Sequence, residues 1–494
     1  MKTLITLILI TSFANIIKAQ TPHITWQKSF GNADDDQSFE IQQTSDGGYI
    51  VIGHKDNGSI DYRIIKLTST GSTTWQKSLG GTNMDFGRSI IQTSDGGYIA
   101  AGYSRSTDGY VTSGNHGDFD MWIIKLTNLG NIAWQKSLGG TSSDEAQSIQ
   151  QTSDGGYIVA GRSSSHNGDA SGTNGLGDYW IVKLTSNGAI SWEKSLGGSG
   201  MDLVNTIRQT SNGGYIIAGS SESNDGDVTG NHGNFDMWIV NLNNLGDIIW
   251  EKSLGGSFDD RAYSAQQTSD GNYIVAGFGG SNATVIKLDS LGDIIWLKSM
   301  GGSGSDQALS IQQTSDEGYI VAGSSSSNNG DVSHNNGGTD YWIIKLTESG
   351  IISWEKSLGG SNTENAWDIK QTLDGGYIVC GQSNSNDGDI TGNQGAYDMW
   401  VVKLSATIGL NEIEKLKLFN IFPNPTTGSL TINLKEAKQD IKATLTNSFG
   451  KIILIKQFDS LDLINMNIDA PSGIYFLQIE TRNEEARTIK ILKK

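Results

Sequence analysis

Seven carboxylates recur at one place in this chain: Asp36, Asp85, Asp144, Asp202, Asp260, Asp306 and Glu364, each five residues before the apolar anchor of a short β-type segment. Like-charged oxygens gathered around one opening raise one another's pKa or require a counter-ion. A hard cation such as Ca²⁺, which takes six to eight oxygens, is the ligand such a ring would hold. The plainer reading is that each carboxylate caps its own turn and pairs with the lysine two residues after a recurring tryptophan (Lys28, Lys77, Lys136, Lys194, Lys252, Lys298, Lys356). Long Asp/Asn/Gly segments, with Asp225, Asp227, Asn231 and Asp236 as the clearest set, lack the Asp-x-Asp-x-Asp-Gly spacing and closing Glu of a calcium loop. His116 and His232 fall in separate repeats and are expected too far apart to share a metal. Cys380 stands where other repeats have Ala or Ile and reads as a small strand residue, with no basic neighbour to activate it. No nucleophile elbow, HExxH, P-loop or paired-carboxylate motif stands out. No catalytic residue is therefore named, and no cofactor is expected beyond Ca²⁺.

The elements that must position these groups follow from a repeat. The pattern apolar-Trp-x-Lys-Ser returns at Trp26, Trp75, Trp134, Trp192, Trp250, Trp296 and Trp354, and periods of this size signal a repeat architecture. In one repeat four β-type segments follow one another: Trp134–Leu138, Ala146–Thr152, Tyr157–Arg162 and Tyr179–Leu184, each bounded by Gly, Asn, Asp or Ser. Seven units of four strands predict an all-β chain, a seven-bladed β-propeller whose sheets bury both faces on their neighbours. Burial on both faces accounts for continuously apolar strands such as Tyr157–Ala160. Twelve of the thirteen tryptophans lie at two repeated positions and are assigned to packing between blades; Trp367 alone is off register. Arg105 and Arg162 are the odd basic residues at third-strand ends.

Antiparallel strands put alternate connections on opposite faces of the ring. The tight Thr-Ser-Asp-Gly-Gly-Tyr and Thr-Ser-Asn-Gly turns share a plain face, and the long segments share the other. In the fifth repeat the long link shrinks to about Gly279–Asn282, hairpin length, so the link that crosses between blades must be Leu-Gly-Gly-Ser-x-x-Asp. Each blade then runs second, third, fourth, first. Ile24–Phe30 is left over and is expected to close the last blade beside Asp398–Leu404, which removes the exposed break. The turn Thr152–Tyr157 partly resembles the Asp-box of sialidase-like propellers, with Val159 where that motif has an aromatic. Its Asp has a turn role, and Asn212 replaces it in one repeat.

The ends read differently from the ring. Lys2, the apolar run Leu4–Ile17 and Ala19 predict a signal peptide over 1–19. The formal charge is −18; Lys2 and Lys18 lie in that leader, and residues 409–494 hold twelve basic and ten acidic groups, so residues 20–408 carry −22. Such a field repels nucleic acid and anionic membrane. No later stretch is long and apolar enough for a membrane-spanning helix. With one cysteine, no disulfide can form within the chain.

From about residue 411 the composition changes, with Pro423-Asn424-Pro425-Thr426-Thr427-Gly428, Gly450-Lys451, Gly473-Ile474-Tyr475 and a basic end from Lys490 to Lys494. This order closely resembles the C-terminal sorting domain of the type IX secretion system of Bacteroidota; Asn447 stands where that family usually has Asp. The resemblance implies a small β-sandwich over 411–494, read by the outer-membrane export machinery and usually removed when cargo is released or attached to the surface. The expected organisation is leader 1–19, propeller 20–408 and sorting domain 411–494. The favoured function is an exported, non-catalytic binding protein, secreted or at the cell surface, with an extracellular glycan or protein as partner. The alternative is a polysaccharide-active enzyme, hydrolase or lyase, with its site on the long-loop face.

Overall fold

A computed structural model describes residues 21–406, 420–447, 451–482 and 484–494; the leader, the 411 boundary and Gly450 lie outside the described residues. The chain divides into two compact units at 407/408.

The first unit holds seven four-stranded antiparallel sheets in the order second, third, fourth, first. The first blade is Asp36–Gln43, Tyr49–Asp56, Ile60–Leu67 and Thr73–Leu79. Ile24–Phe30 pairs antiparallel with Asp398–Leu404, Trp26 opposite Lys403 and Phe30 opposite Met399, so the chain start completes the last blade as expected. The fifth blade's hairpin joins Tyr273–Gly279 directly to Asn282–Leu288. Innermost strands touch their successors around the ring, the last meeting the first, and enclose a central channel.

The core lies between blades because both faces of each sheet are apolar. Ile158, Ala160, Tyr179 and Ile181 of the third blade pack on Val204, Ile207, Ile217 and Trp238 of the fourth. Each outermost Trp meets the Tyr that opens the next blade's second-innermost strand, with ring centroids 5.6–6.0 Å apart, and Trp26–Tyr49 closes this ring of seven. The other five repeated tryptophans, Trp122, Trp180, Trp238, Trp342 and Trp400, are wholly buried. On the plain face the glutamine ending each innermost strand accepts a backbone N–H from the preceding blade's turn, from Ser45 to Gln92 at 2.8 Å through Leu373 to Gln43 at 2.8 Å.

The lysine pairing differs from expectation. Lys194 and Lys252 sit on outermost strands and reach turn residues Asp247 and Asp293 at 3.1 and 3.0 Å, a blade's width from the seven carboxylates. A different lysine, buried near the end of the fourth strand, pairs with the turn aspartate: Lys66–Asp46, Lys125–Asp95 and Lys183–Asp154, each at 2.9 Å. Where Asn212 replaces that aspartate, Asn241 replaces the lysine, and its amide donates to the Tyr273 hydroxyl at 2.7 Å. Charge disappears from both partners together, which avoids an uncompensated buried ion.

The second unit is an all-β, sandwich-like fold. The long strand Ser429–Asn447 pairs along its length with Ile452–Asn467; its first part also pairs with Asn420–Phe422 and its second with Gly473–Thr481. Leu430, Ile432, Ile441, Leu445, Leu477 and Ile491 share one core, so the sheet folds over on itself.

Candidate ligand site in the central channel

Every innermost strand carries a β-bulge at its fourth residue, where two residues oppose one on the neighbouring strand. A bulge re-aims side chains, and here it turns the fourth and fifth residues of all seven strands to the channel. The fourth position is Phe39, Arg88, Gln147, Asn205, Tyr263, Leu309 and Trp367, different in every blade. All seven line a cavity of about 330 Å³ toward the long-loop mouth, together with Glu145 and Arg162. Trp367 and Arg162, singled out by sequence, thus meet in one chamber; the other bulge residues were missed. Trp367 and Phe39 lie 5.5 Å apart, and the aromatic surface continues through His54, Phe86, Tyr103 and Phe119. Arg105 flanks this arc, 5.6 Å from the Phe119 ring centre and paired with Asp118 at 2.8 Å. Burial, then the Arg88 charge, pushes the His54 imidazole down to about 4, so it is neutral at physiological pH.

Deeper in the channel the fifth residue of one strand accepts the N–H of the sixth in the next blade. Ser89 takes Ile149 at 3.1 Å and Ser148 takes Ile207 at 3.3 Å. Across the last–first and first–second junctions carboxylates replace the hydroxyls: Asp368 accepts from Ile41 at 3.1 Å and Glu40 from Ile90 at 2.7 Å. Their remaining oxygens are engaged by Ser310 and Lys370, and by Arg208 at 3.4 Å. Burial raises the Glu40 pKa against the pull of Arg208. Both carboxylates are committed to holding blades together.

The seven repeated carboxylates begin the innermost strands, yet they face the blade junctions and line neither channel cavity. Their oxygens accept the N–H four residues back, Gly140 to Asp144 at 2.8 Å and Gly360 to Glu364 at 2.8 Å, and serine hydroxyls such as Ser165 at 2.8 Å. At six junctions a second aspartate faces the first: Asp61/Asp85, Asp120/Asp144, Asp178/Asp202, Asp236/Asp260, Asp340/Glu364 and Asp398/Asp36. A Cβ on the intervening glycine would collide with both; at Gly80 it would lie 2.3 Å from Asp61 Oδ1 and 2.5 Å from Asp85 Oδ2, so glycine is obligatory there. One oxygen of each second aspartate, for example Asp120 Oδ1, is buried without a hydrogen-bond partner. In the fifth blade, which lacks the long loop, this aspartate is Asn282. His116 and His232 each pair with their own loop's aspartate, Asp120 and Asp236. Among the described residues no three His, Cys, Asp or Glu side chains converge to hold a metal.

Two facing buried carboxylates fit a shared proton. Burial is the chief cause, and the facing carboxylate adds to it, in raising Asp36, Asp61, Asp178 and Asp340 from 3.8 to about 6. A raised folded-state pKa contributes stability that is fully present below the unfolded value and lost as pH rises through about 6. Asp154 has the opposite sign: the Thr152 hydroxyl, then Lys183 and the Gly156 N–H, outweigh burial and hold it at about 2, so its contribution disappears only as pH falls toward that value. The melting temperature is therefore expected to peak at about pH 4 and to fall as pH rises through about 6, as calorimetry would register; a maximum at pH 7–8 contradicts the shared proton. The same scan with millimolar Ca²⁺ separates the two occupants. A rise at pH 8 that is lost in D144N/D202N would assign the cation, and an unchanged curve the proton.

In the second unit Asn424 Oδ1 accepts the Leu492 N–H at 2.9 Å, and Thr426 exchanges backbone bonds with Leu492 and Lys494, each at 2.9 Å. The Pro423–Gly428 segment thereby fastens the C-terminal strand. Pro423 and Pro425 each follow a cis peptide, and Gly428 has φ +140°. Gly473 opens a strand in which Phe476 is in register with Lys490, and the Tyr475 hydroxyl donates to the Pro471 carbonyl at 2.7 Å. Ile474, Phe476 and Leu492 stand on the outward face, 36–41% exposed. Residues 420–494 match the family model described as a secretion system C-terminal sorting domain. These residues are a C-terminal sorting domain. A domain of this kind implies export by the type IX secretion machinery, to the cell surface or the medium. Among the described residues no helix is long and apolar enough to cross a membrane. No curated protein matches the chain.

Solved structures similar to it include PorZ, an essential surface component of the type IX secretion system of Porphyromonas gingivalis (11% identity, TM-score 0.41, covering 94% of this chain and 60% of that one). The chain thus spans 60% of the length of that structure. Sqt1 from Chaetomium thermophilum (10%, 0.43, 77% and 100%) and YCF48 bound to D1 peptide (9%, 0.43, 79% and 99%) are similar at the same level. With TM-scores of 0.41–0.43, these likenesses carry no argument about this chain.

Proposed function

We propose that the mature protein is a non-catalytic binding protein whose ligand, an extracellular glycan, enters the central channel from the long-loop mouth. One observation carries this reading: the bulged channel position differs in all seven blades, within a scaffold whose strands, turns and junctions are otherwise repeated. Rigid scaffolds present function where their symmetry breaks. The aromatic faces of Phe39, Tyr263 and Trp367, with the neighbouring amides of Gln147 and Asn205 on the same lining, complement a sugar ring, whose C–H face stacks while its hydroxyls take hydrogen bonds. A cavity of about 330 Å³ is in the range of small-ligand sites. The engagement of Glu40 and Asp368 in the inter-blade ring favours binding over acid–base chemistry. Delivery rests on the sorting domain, whose outward apolar face at Ile474, Phe476 and Leu492 suits protein recognition.

On a glycan array the mature protein should retain a defined subset of glycans, and Trp367→Ala should lower that retention about tenfold, the loss of roughly 1.4 kcal/mol, with little change in melting temperature. Retention indifferent to the substitution removes the channel as the site. Release of new chain ends from a retained glycan would instead establish the hydrolase or lyase alternative.

A further inference from the structure

Within a propeller of strongly negative charge, the channel lining is the exception: Arg88, Arg162, Arg208 and Lys370 face three acids, Glu40, Glu145 and Asp368. Lys370 and Arg208 are engaged by Asp368 and Glu40 at 2.5 and 3.4 Å. Arg162 lies 3.7 Å from Glu145, beyond hydrogen-bond length, and its Nε has no partner. Among the described residues no carboxylate pairs with Arg88 at all. Its guanidinium sits 4.2 Å from the Phe39 ring centre and 5.4 Å from that of Tyr103, donates once to the Tyr103 hydroxyl at 2.7 Å, and leaves Nε without a partner.

Resting on the channel as the ligand site, we infer that the glycan is acidic and that Arg88 receives its carboxylate or sulfate while the neighbouring ring stacks on Phe39 and Trp367. The aromatic faces fix the guanidinium plane, and its remaining N–H donors form the fork that a carboxylate or sulfate accepts in two parallel bonds. Arg162 on the same wall supplies a second set of donors. The negative field of the rest of the propeller would otherwise repel such a ligand, so selectivity rests on this local fork. The favourable position of a cation over aromatic rings holds Arg88 in place without neutralising it.

The test is titration calorimetry of the mature full chain with digalacturonate and, as the neutral match, a galactose disaccharide. The parent should bind digalacturonate at least tenfold more tightly, with the preference shrinking as NaCl rises. Arg88→Gln should abolish the preference, Arg88→Lys should recover part of it, and Trp367→Ala should weaken both sugars. Equal binding of the two disaccharides by the parent, or a preference surviving in R88Q, overturns the inference and leaves the channel reading intact. Binding of neither disaccharide also overturns it, and the array then decides the channel reading separately. A melting temperature for each variant shows that loss of binding is not loss of fold.

Discussion

Cells producing the chain without residues 420–494 should show no protein at their surface or in the medium, while the propeller accumulates, folded and protease-resistant, inside the outer membrane. The two units have separate cores, so removing the sorting domain leaves every inter-blade contact in place. Replacing Ile474 and Phe476 with Asp should reproduce the export defect if the outward apolar face is what the machinery reads, because charge there costs the fold little. Fractionation and immunoblotting decide it. Normal surface levels of the truncated protein would show that the address lies elsewhere in the chain.

Removing residues 21–30 should be nearly as damaging to the fold as the first change is to delivery. The deletion strips the outer strand from the last blade and leaves Asp398–Leu404 as a bare edge. It also removes the Trp26–Tyr49 contact at 5.7 Å and the Gln27 acceptor of Trp400 Nε1 at 2.6 Å. Losing a Trp and a Phe that pack between blades costs on the order of 5 kcal/mol, a large share of the roughly 5–15 kcal/mol that holds a typical fold together. The expected result is a melting temperature lowered by more than about 10 °C, or insoluble protein, with partial recovery when a peptide spanning Ile24–Phe30 is added. A melting temperature equal to the parent's would mean that the ring closes by some other contact.

Why the blades and their closure were legible in sequence, and the channel was not, has a physical reason. A repeat writes its strands seven times, and the shortened Gly279–Asn282 link shows which connection stays within a blade, so the leftover Ile24–Phe30 could be placed. A bulge is an offset in pairing between two strands and leaves no compositional mark. Trp367 stood out only because tryptophan is rare off register, while Phe39, Arg88 and Tyr263 beside it passed as ordinary variation. The signal existed: no other position of the innermost strand holds seven different residues. The repeated carboxylates were placed at the start of the correct strands, but their outlook depends on alternate residues facing opposite sides of a sheet, and they turned to the junctions. The pairing of Asp46-type aspartates with Lys66-type lysines was also written in the chain, as the joint change to Asn212 and Asn241 in one repeat.

A crystal structure of the mature propeller soaked with digalacturonate would place the ligand directly. Difference density is expected in the channel at the long-loop mouth, one ring against Trp367 and Phe39 and a carboxylate on Arg88. Density confined to the outer rim or the long loops, with the channel filled only by water at a ligand concentration that saturates binding, would contradict it.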